Sequence, residues 1–518
     1  MSDERPIERR SILKGALGIG VASALPAIPG CAGLGSRTPA ADPDFIRREN
    51  EKPGTRGWLL ENTRIDPATR FRCPWIEGYA SRTSVRAGES ISLHASTRPA
   101  SPFLVELFRM GYYGGTGGRR IATLGPFKGE EQPDPPVGRN RVRECAWEPF
   151  VTLTIPEDWS SGIYLAKLTA EREKIGSYIV FIVRDDRPAD FIFQCSDTTW
   201  QAYNRWPDHF ALYDDGVKEW YWGPDVEVSF DRPYGKYCQI LDAPLSTGSG
   251  EWFLWEFPLA YWMESRGDDV TYISNLDTHA EPETLLRAKG FLSVGHDEYY
   301  TREMFGGLQS AIARGLSVAF LSGNTCCGLI RLGPSSRGQP LRTVTRLDRF
   351  GPKDPREIEG FPEMERFPWT APNENTLIGA RSVHPVTGGA DWACSIPGHW
   401  IFEGTGMREG DAIPGLVGWE WHGDPAPIPG LEVVSTGVTR NGGRGEGRYT
   451  ATVYPGPRGN FVFNAASCWW ADGIAEPPGY VRPKAYTEPR GPDERARRIT
   501  SNVLERMRRG GAATPVTG

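Results

Sequence analysis

Histidine is scarce in this chain, seven among 518 residues, so a multi-histidine metal cluster would have to draw heavily on a small set. The nine cysteines include no C-x-x-C pair, which removes zinc-ribbon spacing. Cys326 and Cys327 are adjacent, which suits neither a disulfide to each other nor a zinc knuckle, and buried free thiols are the default reading for most of the nine. There is no excess of positive charge: the formal net charge is −6, which argues against a nucleic-acid or anionic-membrane binder. No G-x-S-x-G elbow is present, and Cys326-Cys327 lack an obvious histidine partner, so a serine or cysteine hydrolase is poorly supported. The weakly apolar run at 15–29 is too short and too interrupted by Gly, Ala and Pro to span a membrane.

What is present points to a loop-rich globular protein. Hydrophobic residues make up 39% and charged residues 24%, which supports a large core, and the length suggests about three domains or fewer. Eighteen Trp, 44 Pro and 61 Gly imply many loops and aromatic-lined surfaces.

Arg9-Arg10-Ser11-Ile12-Leu13-Lys14, followed by a run rich in small residues, has the pattern of a bacterial twin-arginine export signal. Cleavage near 24–32 would release a soluble periplasmic or extracellular protein. Ile28-Pro29-Gly30-Cys31 also resembles a lipoprotein box, which would make Cys31 a lipid-anchored terminus. This route carries folded proteins, often with a cofactor already loaded. Residues 1–34 are therefore set aside as a signal peptide, and 35–70 as a linker and lead-in.

From 71 to 188 the pattern is short alternating strands with Gly turns, which predicts an immunoglobulin-like β-sandwich. Inside it, Gly111-Tyr112-Tyr113-Gly114-Gly115-Thr116-Gly117-Gly118 lacks a GK[ST] ending and precedes no helical pattern. It reads as a hairpin rather than a phosphate cradle, with tyrosines that can reach a neighbouring element.

From 189 to 509 strands and helices alternate, which predicts a doubly wound α/β domain. Its centre is Phe291-Leu292-Ser293-Val294-Gly295-His296-Asp297-Glu298-Tyr299-Tyr300, an apolar run ending in glycine and then polar residues. A helix with Met304, Leu308, Ala311 and Ile312 inward follows, then a second run closed by Ser322-Gly323-Asn324. A βαβ unit would bring both polar clusters to one sheet edge, where ligands sit in such folds. Between 201 and 241 lies an insertion dense in Tyr and Trp, among them Tyr203, Tyr213, Trp220, Tyr234 and Tyr237. Two more strands are expected near 415–421 and 459–467, then a closing helix at 492–509 and a disordered tail from 510.

Gly295-His296-Asp297-Glu298-Tyr299, Leu321-Ser322-Gly323-Asn324, Ser196-Asp197-Thr198-Thr199-Trp200-Gln201-Ala202-Tyr203-Asn204 and Ser229-Phe230-Asp231-Arg232-Pro233-Tyr234, with the glycine run at 111–118, together resemble the large (beta) subunit of bacterial N,N-dimethylformamidase over roughly residues 70 to 490. The resemblance implies a glutamine-amidotransferase-like α/β domain and a mononuclear iron site of two tyrosinates and one glutamate that hydrolyses a small amide. Carried over, the glutamate falls on Glu298 and the tyrosines on Tyr203 and Tyr234, with Tyr213 as the substitute. His296, Asn324 and Glu420 become catalytic candidates, and Phe463 and Trp200 pocket residues. The resemblance also implies a small partner subunit or a homo-oligomer.

Phenolate and carboxylate are hard donors that suit Fe(III), which would act as a Lewis acid. Asn324 could donate to an oxyanion and His296 could move a proton to the leaving amine. Plainer readings stand beside these. Glu298 is also a favourable acid near a helix start, His296 a buried structural histidine, and Asn324 a turn-former. Tyr299 and Tyr300 read as packing residues. A non-catalytic carbohydrate or cell-surface binding module on the same scaffold is the alternative to an enzyme, since Trp-rich loops suit sugar stacking.

Overall fold

Alternation of buried and half-buried residues along Phe103–Met110 puts Phe103, Val105 and Leu107 on one face, as a half-buried strand requires. This strand belongs to a five-stranded sheet, Ser84–Arg86, Gly176–Arg184, Gly162–Ala170, Phe103–Met110 and Gly118–Phe127 in that order. Glu77–Ala80, Ser90–Ser96 and Pro149–Thr154 make a three-stranded one. Both sheets feed one core, with Ile91 and Leu93 packed in a cluster with Val105, Leu107, Leu168 and Phe181. The computed structural model describes residues 42–236, 247–383, 388–441, 445–482 and 491–510. The readings placed on Arg9, Arg10, Cys31, Tyr237 and the tail beyond 510 lie outside the described residues.

The segment expected as a linker and lead-in is packed from residue 42 onward. It forms the helix Phe45–Asn50, and Trp58 is fully buried with its ring stacked on Phe253 at 5.2 Å. The glycine run makes a tight turn at Tyr113–Gly115 with positive φ at Gly114 and Gly115, then enters strand Gly118–Phe127. As expected of tyrosines that can reach a neighbouring element, Tyr112 meets Tyr261 edge-on at 5.1 Å. The Tyr113 hydroxyl donates to Glu49 Oε1 at 2.8 Å.

Glu49 is almost fully buried and also accepts from Ser160 Oγ at 2.8 Å and Arg119 Nε at 2.9 Å. Burial pushes its pKa up, but the Arg109 guanidinium and bonds from Lys52, Ser160 and Tyr113 outweigh that and hold it at about 2 against an ordinary 4.5. A folded-state value below the unfolded one means stability that is present above pH 4.5 and lost as pH falls toward 2. The thermal midpoint is therefore expected to drop across that window. In Glu49→Gln the slope should flatten, as melts at stepped pH would record.

The central sheet has nine strands. Val270–Ser274, Ala189–Cys195, Ala288–His296, Ser317–Gly323 and Phe461–Asn464 run parallel. The sheet continues antiparallel through Gly445–Pro455, Glu432–Asn441, Gly388–Ala393 and Ala412–Gly418. The architecture is thus mixed. Only the first half has the parallel order that strand–helix alternation predicts, because the strands of this sheet between 388 and 455 follow one another with no α-helix between them and pair antiparallel.

The central βαβ unit is as expected. Helix Arg302–Ala313 buries Met304, Leu308, Ala311 and Ile312, is capped by the Thr301 hydroxyl accepting from Met304 N at 3.1 Å, and ends before Gly315 at φ +110°. Elsewhere boundaries move. The run at 415–421 is divided between Ala412–Gly418 and Trp421–Pro425, and two consecutive helices, Trp252–Trp255 and Phe257–Ser265, lead into strand Val270–Ser274. The closing helix Glu494–Arg508 buries Val503 and Met507, and Gly290 admits Met507 where a Cβ would sit only 2.5 Å from its sulfur. Among the described residues no helix is long and apolar enough to cross a membrane.

Candidate metal centre

Parallel register fixes which residues leave the sheet together. Ser293 lies beside Gln194, and His296 beside Gly323, so the chain emerges from adjacent strands carrying His296, Asp297 and Glu298 on one side and Asn324 on the other. Gly295 has φ +71°, and a Cβ there would stand 2.4 Å from that of Trp255, so the turn into the site requires glycine.

Asp297 anchors the turn from within. Its carboxylate accepts from Gln194 Nε2 at 2.7 Å, Ser293 Oγ at 2.8 Å, Tyr300 OH at 2.7 Å and Asn275 Nδ2 at 3.0 Å. The Glu298 backbone N–H donates to Thr199 Oγ1 at 2.9 Å. Asp297 thereby points inward, and the Glu298 side chain is presented to the aromatic insertion.

There it meets phenols. Tyr203, the last residue of helix Asp197–Tyr203, donates its hydroxyl to Glu298 Oε2 at 2.7 Å. The Tyr213 hydroxyl lies 3.1 Å from both Glu298 oxygens and also bonds the Tyr203 oxygen. The two rings stack with centroids 4.4 Å apart. A third phenol, Tyr299, donates to the Tyr213 oxygen at 2.7 Å. All four side chains are buried.

On the other side of Glu298 stands His296, its Nε2 3.5 Å from Glu298 Oε2 and paired with Glu420. Trp255 covers the imidazole edge-on at 5.8 Å. Ligand atoms of His296, Glu420 and the buried thiol of Cys468 lie within 4.8 Å of one another, a group that could hold a metal ion. Neither amide atom of the fully buried Asn324 has a hydrogen-bond partner among the described residues, and its φ is +51°. An amide buried unsatisfied is costly unless something absent from the protein itself completes it.

Electrostatics follow from burial and crowding. Burial, and after it the repulsion of the Glu420 carboxylate, pushes Glu298 up to about 7. For His296 burial pulls down, but Glu420 and then Glu298 overcome it and raise the imidazole to about 9. Burial and Glu298 hold the hydroxyls of Tyr203 and Tyr213 well above the ordinary phenol value. The protein alone thus keeps protons on this oxygen cluster, and a strongly charged cation would be needed to displace them.

The family described as N,N-dimethylformamidase beta subunit-like, C-terminal, has a model that matches residues 104–485, well over half of the chain. The chain belongs to this family. At a general level this places it with dimethylformamidase-like hydrolases. No curated protein was matched.

Of the residues that family likeness singled out, Tyr203, Glu298, His296 and Glu420 are brought together, with Asn324 at the neighbouring strand end. Tyr234 is not at this cluster; Tyr213, the substitute, takes its place beside Glu298. The turn carrying Tyr234 is pinned to Asn204, whose side chain bonds Pro233 O at 2.9 Å and Gly235 N at 3.0 Å, and the Tyr234 ring meets Trp200 edge-on at 6.3 Å. Trp200 also departs from its expected role: its Nε1 donates to the buried Glu256 at 3.0 Å, and with Tyr234 it lines a separate cleft beside Gly78 and Arg342. Phe463 packs against Trp470 inside the main hydrophobic cluster and is a core residue there. Sequence reasoning took Tyr299 for a packing residue, whereas its hydroxyl bonds Tyr213 and Arg346, and it passed over Arg346 and Cys468. Tyr299 sits next to Glu298 in an alternating strand exit, but nothing local distinguishes a phenol that packs from one that bonds another phenol.

Proposed function

We propose that this chain is an exported hydrolase of small amides whose site holds an iron(III) ion through Tyr203, Tyr213 and Glu298. What supports it is the convergence of two phenol oxygens on both oxygens of one buried carboxylate, 2.7–3.1 Å apart. Hard donors at such separations suit a hard cation, since neighbouring donors about 2 Å from one centre lie roughly 3 Å apart. When bound, the ion would supply Lewis acidity toward an amide carbonyl and a nucleophilic water at neutral pH.

The remaining residues then have distinct tasks. Asn324, with both amide atoms unpaired among the described residues, would donate to the oxygen of the carbonyl as charge builds on it. His296, between Glu298 and Glu420, would pass a proton to the nitrogen that leaves as the C–N bond breaks. Trp255 would keep bulk water from the imidazole. The family's beta-subunit description supports assembly with a small partner subunit or a second copy, and Arg9-Arg10 support twin-arginine export with the site already filled.

A carbohydrate-binding scaffold is less well supported, because Trp206 and Trp222 of the insertion are buried and, among its described tryptophans, only Trp220, at 45% exposure, offers a ring to solvent. Metal analysis with a visible spectrum tests the assignment. About one iron per chain and a phenolate-to-iron charge-transfer colour are expected. A colourless protein holding zinc that is lost in Cys468→Ser would move the metal to the His296–Glu420–Cys468 group and overturn the tyrosine site.

A further inference from the structure

Arg346, on strand Thr343–Arg349, is completely buried, yet among the described residues no carboxylate lies within ion-pair distance of it. Its Nη1 donates to the carbonyls of Tyr221 and Gly223 at 3.1 and 3.2 Å, and its Nη2 to the Tyr299 hydroxyl at 3.2 Å. The guanidinium stands over the Tyr213 ring at 4.7 Å and over the Trp222 ring at 4.7 Å. A buried cation without an anionic partner is expensive, and ring faces and carbonyls offset only part of that cost. The nearest place for compensating negative charge is the phenol cluster one hydrogen bond away.

The bonds run in one direction. Arg346 donates to Tyr299, Tyr299 to Tyr213, and Tyr213 to Tyr203 and Glu298. A chain from a buried cation to a buried carboxylate is polarised along its length. The two phenols beside Glu298 are therefore unequal. Tyr213 receives a hydrogen bond from outside the donor set and has a cation over its face. Among the described residues Tyr203 receives only the Tyr213 hydroxyl, whose proton metal binding would remove.

We propose that Arg346 and Tyr299 are positioning residues that make Tyr213 the weaker of the two phenolate donors, leaving the bound metal more electron-poor and better able to polarise a carbonyl. The proposal rests on the iron reading above and adds to it a division of labour between the two tyrosines. Donation into a phenolate oxygen lowers the energy of its electrons, so charge transfer from Tyr213 to iron lies at shorter wavelength than it would without Tyr299.

The test uses the full-length iron-loaded protein. Tyr299→Phe keeps the ring and deletes the hydroxyl that donates to Tyr213 and accepts from Arg346. Its charge-transfer band is expected to move to longer wavelength at unchanged iron content, with a lower thermal midpoint because Arg346 loses an acceptor, kcat lowered roughly 10–100-fold and KM little altered. Arg346→Lys, which keeps the charge but not the two-pronged geometry, should fall between wild type and Tyr299→Phe; it carries the same readout if Tyr299→Phe does not fold. An unmoved band in an iron-replete, folded variant would overturn the proposal and leave Arg346 and Tyr299 as packing groups. Absence of any such band in the wild-type protein would instead defeat the iron reading itself, and this proposal with it.

Discussion

Tyr213→Phe is expected to strip iron from the protein, and Tyr234→Phe to leave it in place. The two substitutions are chemically identical, each deleting one hydroxyl from the same aromatic insertion. They differ in where the tertiary structure puts that hydroxyl. Tyr213 shares both oxygens of Glu298 at 3.1 Å, whereas Tyr234 packs on Trp200 beside another cleft. Removing a donor from a set of three should weaken metal retention at least as much as losing an outer support, on the order of 100-fold or more. Activity should fall in parallel. Glu298→Gln should act like Tyr213→Phe, because it also removes the negative charge against which the phenols are held. Iron per chain after dialysis against a chelator, together with the visible band, is the measurement. Equal iron loss in Tyr213→Phe and Tyr234→Phe would contradict the placement of the site.

The largest stability effect is expected at Arg109, far from the chemistry. Its guanidinium is fully buried and bonds both oxygens of Glu264 at 2.9 and 3.0 Å, the Tyr113 hydroxyl at 2.9 Å and the Ser161 carbonyl at 2.8 Å. It ties strand Phe103–Met110 to helix Phe257–Ser265 and to the glycine-rich turn. Arg109→Met removes one partner and strands the other, a buried carboxylate without its cation, at a cost of about 3–5 kcal/mol. Urea unfolding should register the loss. The double variant Arg109→Met/Glu264→Leu should recover much of it, since the stranded charge is gone as well. A double variant no better than the single would show instead that the geometry of the fork, and not the uncompensated charge, dominates.

Much was legible in the residues alone wherever the physics is local. The central strand–helix–strand unit could be read from an apolar run, helical spacing of Met304, Leu308 and Ile312, and Gly315 at the helix end, because each depends on neighbours within a few positions. Parallel pairing then made the exit of Glu298 beside Asn324 a consequence of topology. The antiparallel half of the nine-stranded sheet was less visible, since pairing between adjacent strands without helices leaves little periodic signal.

Which tyrosines meet Glu298 was decided only by tertiary structure. The insertion has no regular period, and Tyr213 reaches the cluster because Leu212 N bonds Ala202 O at 2.8 Å, closing an irregular loop onto the end of helix Asp197–Tyr203. Tyr234 is carried away by the Asn204 clamp on its own turn. The sequence by itself determined that a carboxylate, an imidazole and an amide leave neighbouring strand ends, because strand register and glycine turns are encoded nearby. The phenols, the buried cation of Arg346 and the thiol of Cys468 come from segments distant in the chain. Their meeting depends on loop closure and side-chain packing that no local pattern records.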